Sequence, residues 1–77
     1  ETIIRFSLPK IARVELTVFD MHGQLIRELT SGYCQPGIHS VKWDGRTNDG
    51  RPVRPGSYLC QLTSSDTRIV KSMIYVK

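Results

Sequence analysis

Apolar residues recur at every second position along most of this chain. Ile4, Phe6 and Leu8 alternate with Arg5 and Ser7, and Pro9, which cannot donate to a strand ladder, closes the run. Val14, Leu16 and Val18 alternate with Arg13, Glu15 and Thr17, the pattern of a half-buried antiparallel strand. His39, Val41 and Trp43 share a third face against Ser40 and Lys42; Tyr58, Cys60 and Leu62 share a fourth, with Gln61 and Thr63 turned away. The last run, Arg68 to Lys77, is apolar on both sides, Ile69, Met73 and Tyr75 opposing Val70, Ile74 and Val76. It is expected to be covered on both faces over part of its length. One segment departs from the period. In "GQLIRELTSG" Leu25, Ile26 and Leu29 fit a helical turn as well as a strand. So short a helix is marginal on its own, and its neighbours are strands, so the segment reads as a strand with a bulge or kink.

The connections carry turn chemistry. "DMHGQ" puts Gly23 where a tight hairpin needs positive φ and Asp20 where a carboxylate can bond the turn backbone. "QPGI" and "RPGS" each place Pro then Gly as a type II turn would, and "SSDT" joins the last two strands. The sum is six or seven short strands at regular spacing and no helix, which predicts an all-β fold, a small antiparallel β-sandwich or barrel. Alternation assigns faces; it does not assign neighbours.

Length and charge narrow the function classes. Seventy-seven residues allow one domain, 1–77, with a small core. No apolar run approaches the roughly 20 residues of a membrane helix, so membrane insertion is not expected. Eleven Lys and Arg against seven Asp and Glu give a net charge of +4. The cations are spread from Arg5 to Lys77 among apolar residues rather than gathered into a phosphate-tracking run, which argues against nucleic-acid binding. The chain opens on a strand-like segment at Glu1 without a basic region followed by an apolar one, and reads as part of something longer. Cys34 and Cys60 are too few and too far apart for a zinc ribbon or a redox pair. A single bridge between them and two independent thiols both remain open.

The most ligand-like stretch is "WDGRTNDGRPVRPGSY", from Trp43 to Tyr58. Asp44, Asn48 and Asp49 are weak candidates for a calcium loop. A bidentate acid is required at the twelfth position, which is Pro55, and Arg46, Arg51 and Arg54 crowd the same loop. The alternative is a loop whose Asp44 and Asn48 bond turn backbone while Gly45, Gly50 and Gly56 take conformations closed to other residues. Trp43 is in phase with Val41 and His39, which favours a core ring over a carbohydrate-stacking platform. His22 and His39 do not form a ligand pair, Cys60 lies on an apolar face, and no nucleophile can be tied to a base by spacing. Neither catalytic residues nor a cofactor or metal is expected.

"TIIRFSLPKIARVELTVFDMHGQLIRELTSG", "PGIHSVKWDGRTNDGRPVRPGSYLCQL" and "KSMIYVK" together resemble one family along essentially the whole chain. It is the type A C-terminal sorting domain of type IX secretion cargo, kin to the immunoglobulin-like domain of the flagellar hook-capping protein. The positions that carry the resemblance are Asp20, Gly23, Trp43, Asp44, Gly45, Gly50, Gly56 and Tyr58. It implies an immunoglobulin-like sandwich, without catalytic activity, at the C-terminal end of an exported protein. Outer-membrane secretion or attachment machinery would read it and deliver the protein to the cell surface by way of the periplasm. Basic residues of the final strand, Arg68, Lys71 and Lys77, would be the recognition candidates. Those cations can equally protect an edge strand from unwanted pairing. The chain departs from the family at Cys34 and Cys60, where an apolar or aromatic residue is more usual, and lacks the Asn-Pro-rich lead-in. The same sandwich also serves as a purely structural module: a spacer, a scaffold or a self-associating packing unit. A fold does not choose between such roles.

Overall fold

Val14, Leu16 and Val18 have no exposed surface at all. A strand that is dry on one side requires a second layer lying across it. A computed structural model, which describes residues 2–65 and 67–76, supplies that layer. Along the chain run β1 (Thr2–Leu8), β2 (Ala12–Phe19), β3 (Leu25–Cys34), β4 (Gly37–Trp43), β5 (Gly56–Thr63) and β6 (Arg68–Tyr75). They divide unequally into a four-stranded sheet, ordered β3-β2-β5-β6, and a two-stranded sheet of β1 and β4. All pairings are antiparallel. The chain is an all-β sandwich, as the alternation predicts. Its neighbours could not be read from sequence: β1 pairs with β4 rather than with β2, and β2 pairs across to β5.

The inner faces are those expected. Opposite one another in the small sheet stand Ile4 and Val41, and Phe6 and His39, whose rings stack 5.2 Å apart. In the large sheet Leu16 faces Leu62 and Val18 faces Cys60. Between the sheets Trp43, wholly buried, packs with Val18, Tyr58 and Tyr75.

The irregular segment is a bulged strand. The register of β3 against β2 slips between Leu16 and Thr17 and again between Val18 and Phe19, so Leu29 and Ile26 have no partner on β2. Each extra residue bends the strand and re-aims the side chains beyond it. Ile26 and Leu29 pack against the aromatic cluster, and Arg27 comes opposite Val18 on the inward-facing side. Asp20 ties the hairpin before it: one carboxylate oxygen accepts from the His22 and Gln24 amides at 2.9 Å, and Gly23 takes φ 85°.

Two expectations need correction, and one open alternative is decided. Gly37 and Gly56 have φ of 121° and 151°, well beyond the roughly +80° of a type II turn, because each is already the first residue of a strand. The outer side of β6 is not covered: Val70 is 47% and Ile74 69% exposed. No Cys34–Cys60 bridge forms; both are free thiols. Cys34 lies opposite Ala12 and Cys60 opposite Val18, so they stand about 20 Å apart along β2, at roughly 3.3 Å per residue, far beyond disulfide reach. The "SSDT" connection closes with the Ser64 amide donating to the Thr67 carbonyl at 2.8 Å; Asp66 lies outside the described residues.

Candidate functional site

The loop between β4 and β5 decides whether the ligand-like residues form a site. It leaves β4 at Trp43, whose indole N–H donates to the Arg46 carbonyl at 3.1 Å. That bond satisfies the one polar atom of an otherwise buried ring. Around the ring, Tyr58 meets it edge-on at 5.3 Å and Tyr75 tilts against it at 5.2 Å, arrangements that suit the aromatic quadrupole. Tyr58 is anchored in turn by its hydroxyl, which donates to the Arg54 carbonyl at 2.6 Å. Trp43 is a core residue with no face left for a ligand.

Asp44 and Asn48 are both engaged in holding the loop. One oxygen of Asp44 accepts from the Arg46 amide at 3.1 Å and from the Arg27 guanidinium at 3.2 Å. The same guanidinium donates to the Arg46 carbonyl, so Arg27 clamps both sides of the bend. Half-exposed, this ion pair contributes at most about 1 kcal/mol. Asn48 lies along the bulged strand as a short piece of strand would: its amide donates to Ile26 O at 3.1 Å and its side-chain oxygen accepts from the Glu28 amide at 3.0 Å. Inside the loop, Thr47 N–H to Arg51 O, Gly50 N–H to Thr47 O and Val53 N–H to Gly45 O close successive turns at 2.8–2.9 Å. Gly50, at φ 85°, supplies the bend. Arg46 reaches back to the Gly50 carbonyl at 2.8 Å.

Gly45 is required twice over. Its φ of 76° is closed to most side chains, and a Cβ there would overlap the ring of Tyr75. The Tyr75 hydroxyl sits at the edge of hydrogen-bond reach, 3.5 Å, from the Asp44 carbonyl. Asp49 remains exposed at the loop tip. Among the described residues no three His, Cys, Asp or Glu come together as a metal group would. Asp44 Oδ1 is taken up by the Arg46 amide and the Arg27 guanidinium, and Asn48 Oδ1 by the Glu28 amide.

The recognition candidates lie elsewhere. Arg68 begins β6 at its exposed end, and Lys71 stands opposite Cys60 on the inward-facing side; Lys77 lies outside the described residues. Burial pushes the Cys60 thiol above its ordinary range, and the Lys71 ammonium pulls it partly back. A protonated thiol inside a sheet is a poor nucleophile. Sequence reasoning missed Arg27, and it put Tyr75 in phase with Met73 without its contact with Trp43 and the loop. For Arg27 there was no signal, because only the bulges turn it toward the loop.

Two stacked antiparallel sheets closed at one end by a tyrosine- and tryptophan-centred core define a small immunoglobulin-like module. The family model of the FlgD Ig-like domain matches residues 2–68, and the chain belongs to that family. Similar proteins include basal-body rod modification protein FlgD of Salmonella typhimurium, 37% identical over 54 residues, and that of Escherichia coli, 33% identical over 54. Each alignment takes in 70% of this chain and 23% of the relative, so the chain spans about a quarter of those proteins.

The flagellar side of the resemblance therefore stands, and the sorting role does not. Relatives named for the basal-body rod overturn the reading as a type IX sorting module, and with it the expected route through the periplasm to the cell surface. Nothing supports outer-membrane secretion machinery as the partner. The sorting and immunoglobulin-like families share a sandwich and its turn residues, and those shared positions could not separate them.

Proposed function

We propose that the chain is a non-catalytic structural module of a FlgD-type protein, a folded packing unit within a longer chain. The observation that carries this reading is the family match together with the closed loop. The residues most suited to bind a ligand are engaged in fastening β4 to β3. Enzyme activity would have to reside elsewhere in such a protein.

The packing surface favoured by the exposed apolar residues is the outer face of the large sheet. Leu25, Phe19 and Leu59 form one row there, with Val70 and Ile74 on the adjoining strand. An apolar patch on a small domain marks contact with a neighbouring domain or subunit, and Arg68 at its rim adds charge. The partners are then neighbouring parts of the parent protein or neighbouring copies of it.

A segment exchange tests the reading. The matching segment of the Salmonella relative is replaced by this chain, and motility of the resulting strain is scored. Motility is expected to be retained, and to be lost when Leu59→Asp and Ile74→Asp are added. A chimera that is folded and stable yet non-motile without those changes contradicts the proposal.

A further inference from the structure

Among the described residues the two sheets of the sandwich are unequal. Two strands cannot cover four, and the deficit falls beside β1. There a groove of about 500 Å³ runs between β1, from Thr2 to Ser7, and the inner face of β6, from Ile69 to Met73. Its floor is Leu16, Cys60 and Leu62. The volume is within the range of ligand pockets, yet the lining has the layout of a missing strand. One wall is the edge of β1 that does not face β4; the other presents Ile69, Lys71 and Met73, successive inward positions of an edge strand. In a complete sandwich those positions would lie under an opposing layer. Here Ile69 is 45% exposed.

Charge identifies the occupant further. Among the described residues, those with a formal charge that line the groove are Arg5, on the outward phase of β1, and Lys71; no Asp or Glu is among the lining residues. Lys71 projects on the inward side, beside Cys60. A wholly apolar strand would bury that ammonium without a partner, which is costly. A second copy of this chain entering by its own β1, which carries no carboxylate from Thr2 to Leu8, would leave Lys71 unanswered, and two molecules of net charge +4 repel.

We propose that the groove accepts an extended polypeptide segment that pairs with the free edge of β1 and turns inward, at alternate positions, an apolar residue, a carboxylate and a second apolar residue. About five residues, roughly 17 Å of extended chain, span the lining of β6. Backbone hydrogen bonds to β1 supply affinity, apolar side chains cover Leu62, Ile69 and Met73, and a carboxylate answers Lys71. This is strand addition at a sheet edge. It deepens the packing reading above by naming a second surface and its ligand chemistry, and it rests on that reading.

The test is a titration of the isotopically labelled chain, followed by backbone amide shifts, with a blocked octapeptide in which valine, glutamate and valine stand at alternate positions separated by threonines. Shifts are expected in β1 and β6. Replacing glutamate by lysine should weaken binding at least tenfold, and proline at alternate positions should abolish it. Lys71→Glu, at an exposed position, should reverse the preference between the two charged peptides; Ile69→Ser should weaken both. No shifts at millimolar peptide would overturn the proposal. So would shifts on the outer face only, equal binding of the glutamate and lysine peptides, or concentration-dependent dimerisation through β1. Loss of peptide binding with a motile chimera sinks the groove alone; a non-motile chimera with intact peptide binding sinks the packing reading.

Discussion

Around Trp43 the space between the sheets is filled by rings and closed by a loop; beside β1 it is left open. The contrast lies in how each region meets its backbone and side-chain requirements. At the closed end the 44–55 loop acts as a substitute strand: Asn48 pairs with the backbone of β3, and Trp43, Asp44 and Arg27 bond to the loop's own carbonyl and amide groups. At the open side no loop does this, so apolar residues of β5 and β6 stay half-covered. A polar, glycine-rich loop can therefore finish a core, and an alternating strand can leave one unfinished.

Substitutions can break the contrast, beginning with the deepest. Trp43→Ala should cost about 3–5 kcal/mol, as large-to-small core changes do. Urea denaturation should show the chain largely unfolded, whereas Trp43→Phe should retain a cooperative transition. A small loss for Trp43→Ala would mean the closed end is not the core. Gly45→Ala should come next, at about 1–3 kcal/mol, from its positive φ and the overlap with Tyr75. Combining it with Tyr75→Leu should relieve only the overlap, leaving a double mutant cycle with clear coupling. Asn48→Ala should cost about 1 kcal/mol, the worth of the bond from the Glu28 amide, while Asp49→Ala should cost nothing measurable. Calcium should leave the melting temperature of the parent chain and of these two variants unchanged; a rise abolished by Asp49→Ala would restore the metal-loop reading.

On the open side the effects should be smaller. Ile69→Ser is expected to cost under about 1 kcal/mol, because surface-exposed apolar atoms gain little by folding. A loss as large as that of a core valine would show the groove to be closed in solution. Smallest is the pH response of Cys60. Its folded thiol titrates above its ordinary range, so as pH rises the unfolded chain releases this proton first. The contribution is fully present below about pH 8.5, the ordinary thiol value, and is lost as pH climbs through the folded value. Stability measured from pH 7 to 10 should fall less steeply in Cys60→Ala than in the parent chain, and equal slopes would refute the shift.

Much of this contrast was legible in the chain. Period two placed Val14, Leu16, Val18, Trp43, Tyr58 and Cys60 inside, and the misfit of Leu25, Ile26 and Leu29 marked the bulged strand. The loop's residue types argue for turns by themselves. What stayed hidden depends on contacts between distant strands. Pairing of β1 with β4, and so the shortage of cover over β6, has no local signature. Apolar residues on both sides of β6 predicted cover on both; the inner side has it only near Tyr75, and the outer side is open. The clamp by Arg27 exists only because two bulges rotate it, and the shared turn residues of two related families pointed to sorting where the relatives are flagellar.

Amide hydrogen exchange on the intact chain tests the contrast between the closed loop and the open edge most directly. The amides of Glu28, Thr47, Gly50 and Val53, each donated to a loop or strand acceptor, are expected to exchange with protection approaching that of β2. The alternate amides of β1 that point away from β4 are expected to exchange nearly as fast as in unstructured chain, until the valine–glutamate peptide slows them. Unprotected loop amides beside a fully protected β1 would contradict the account.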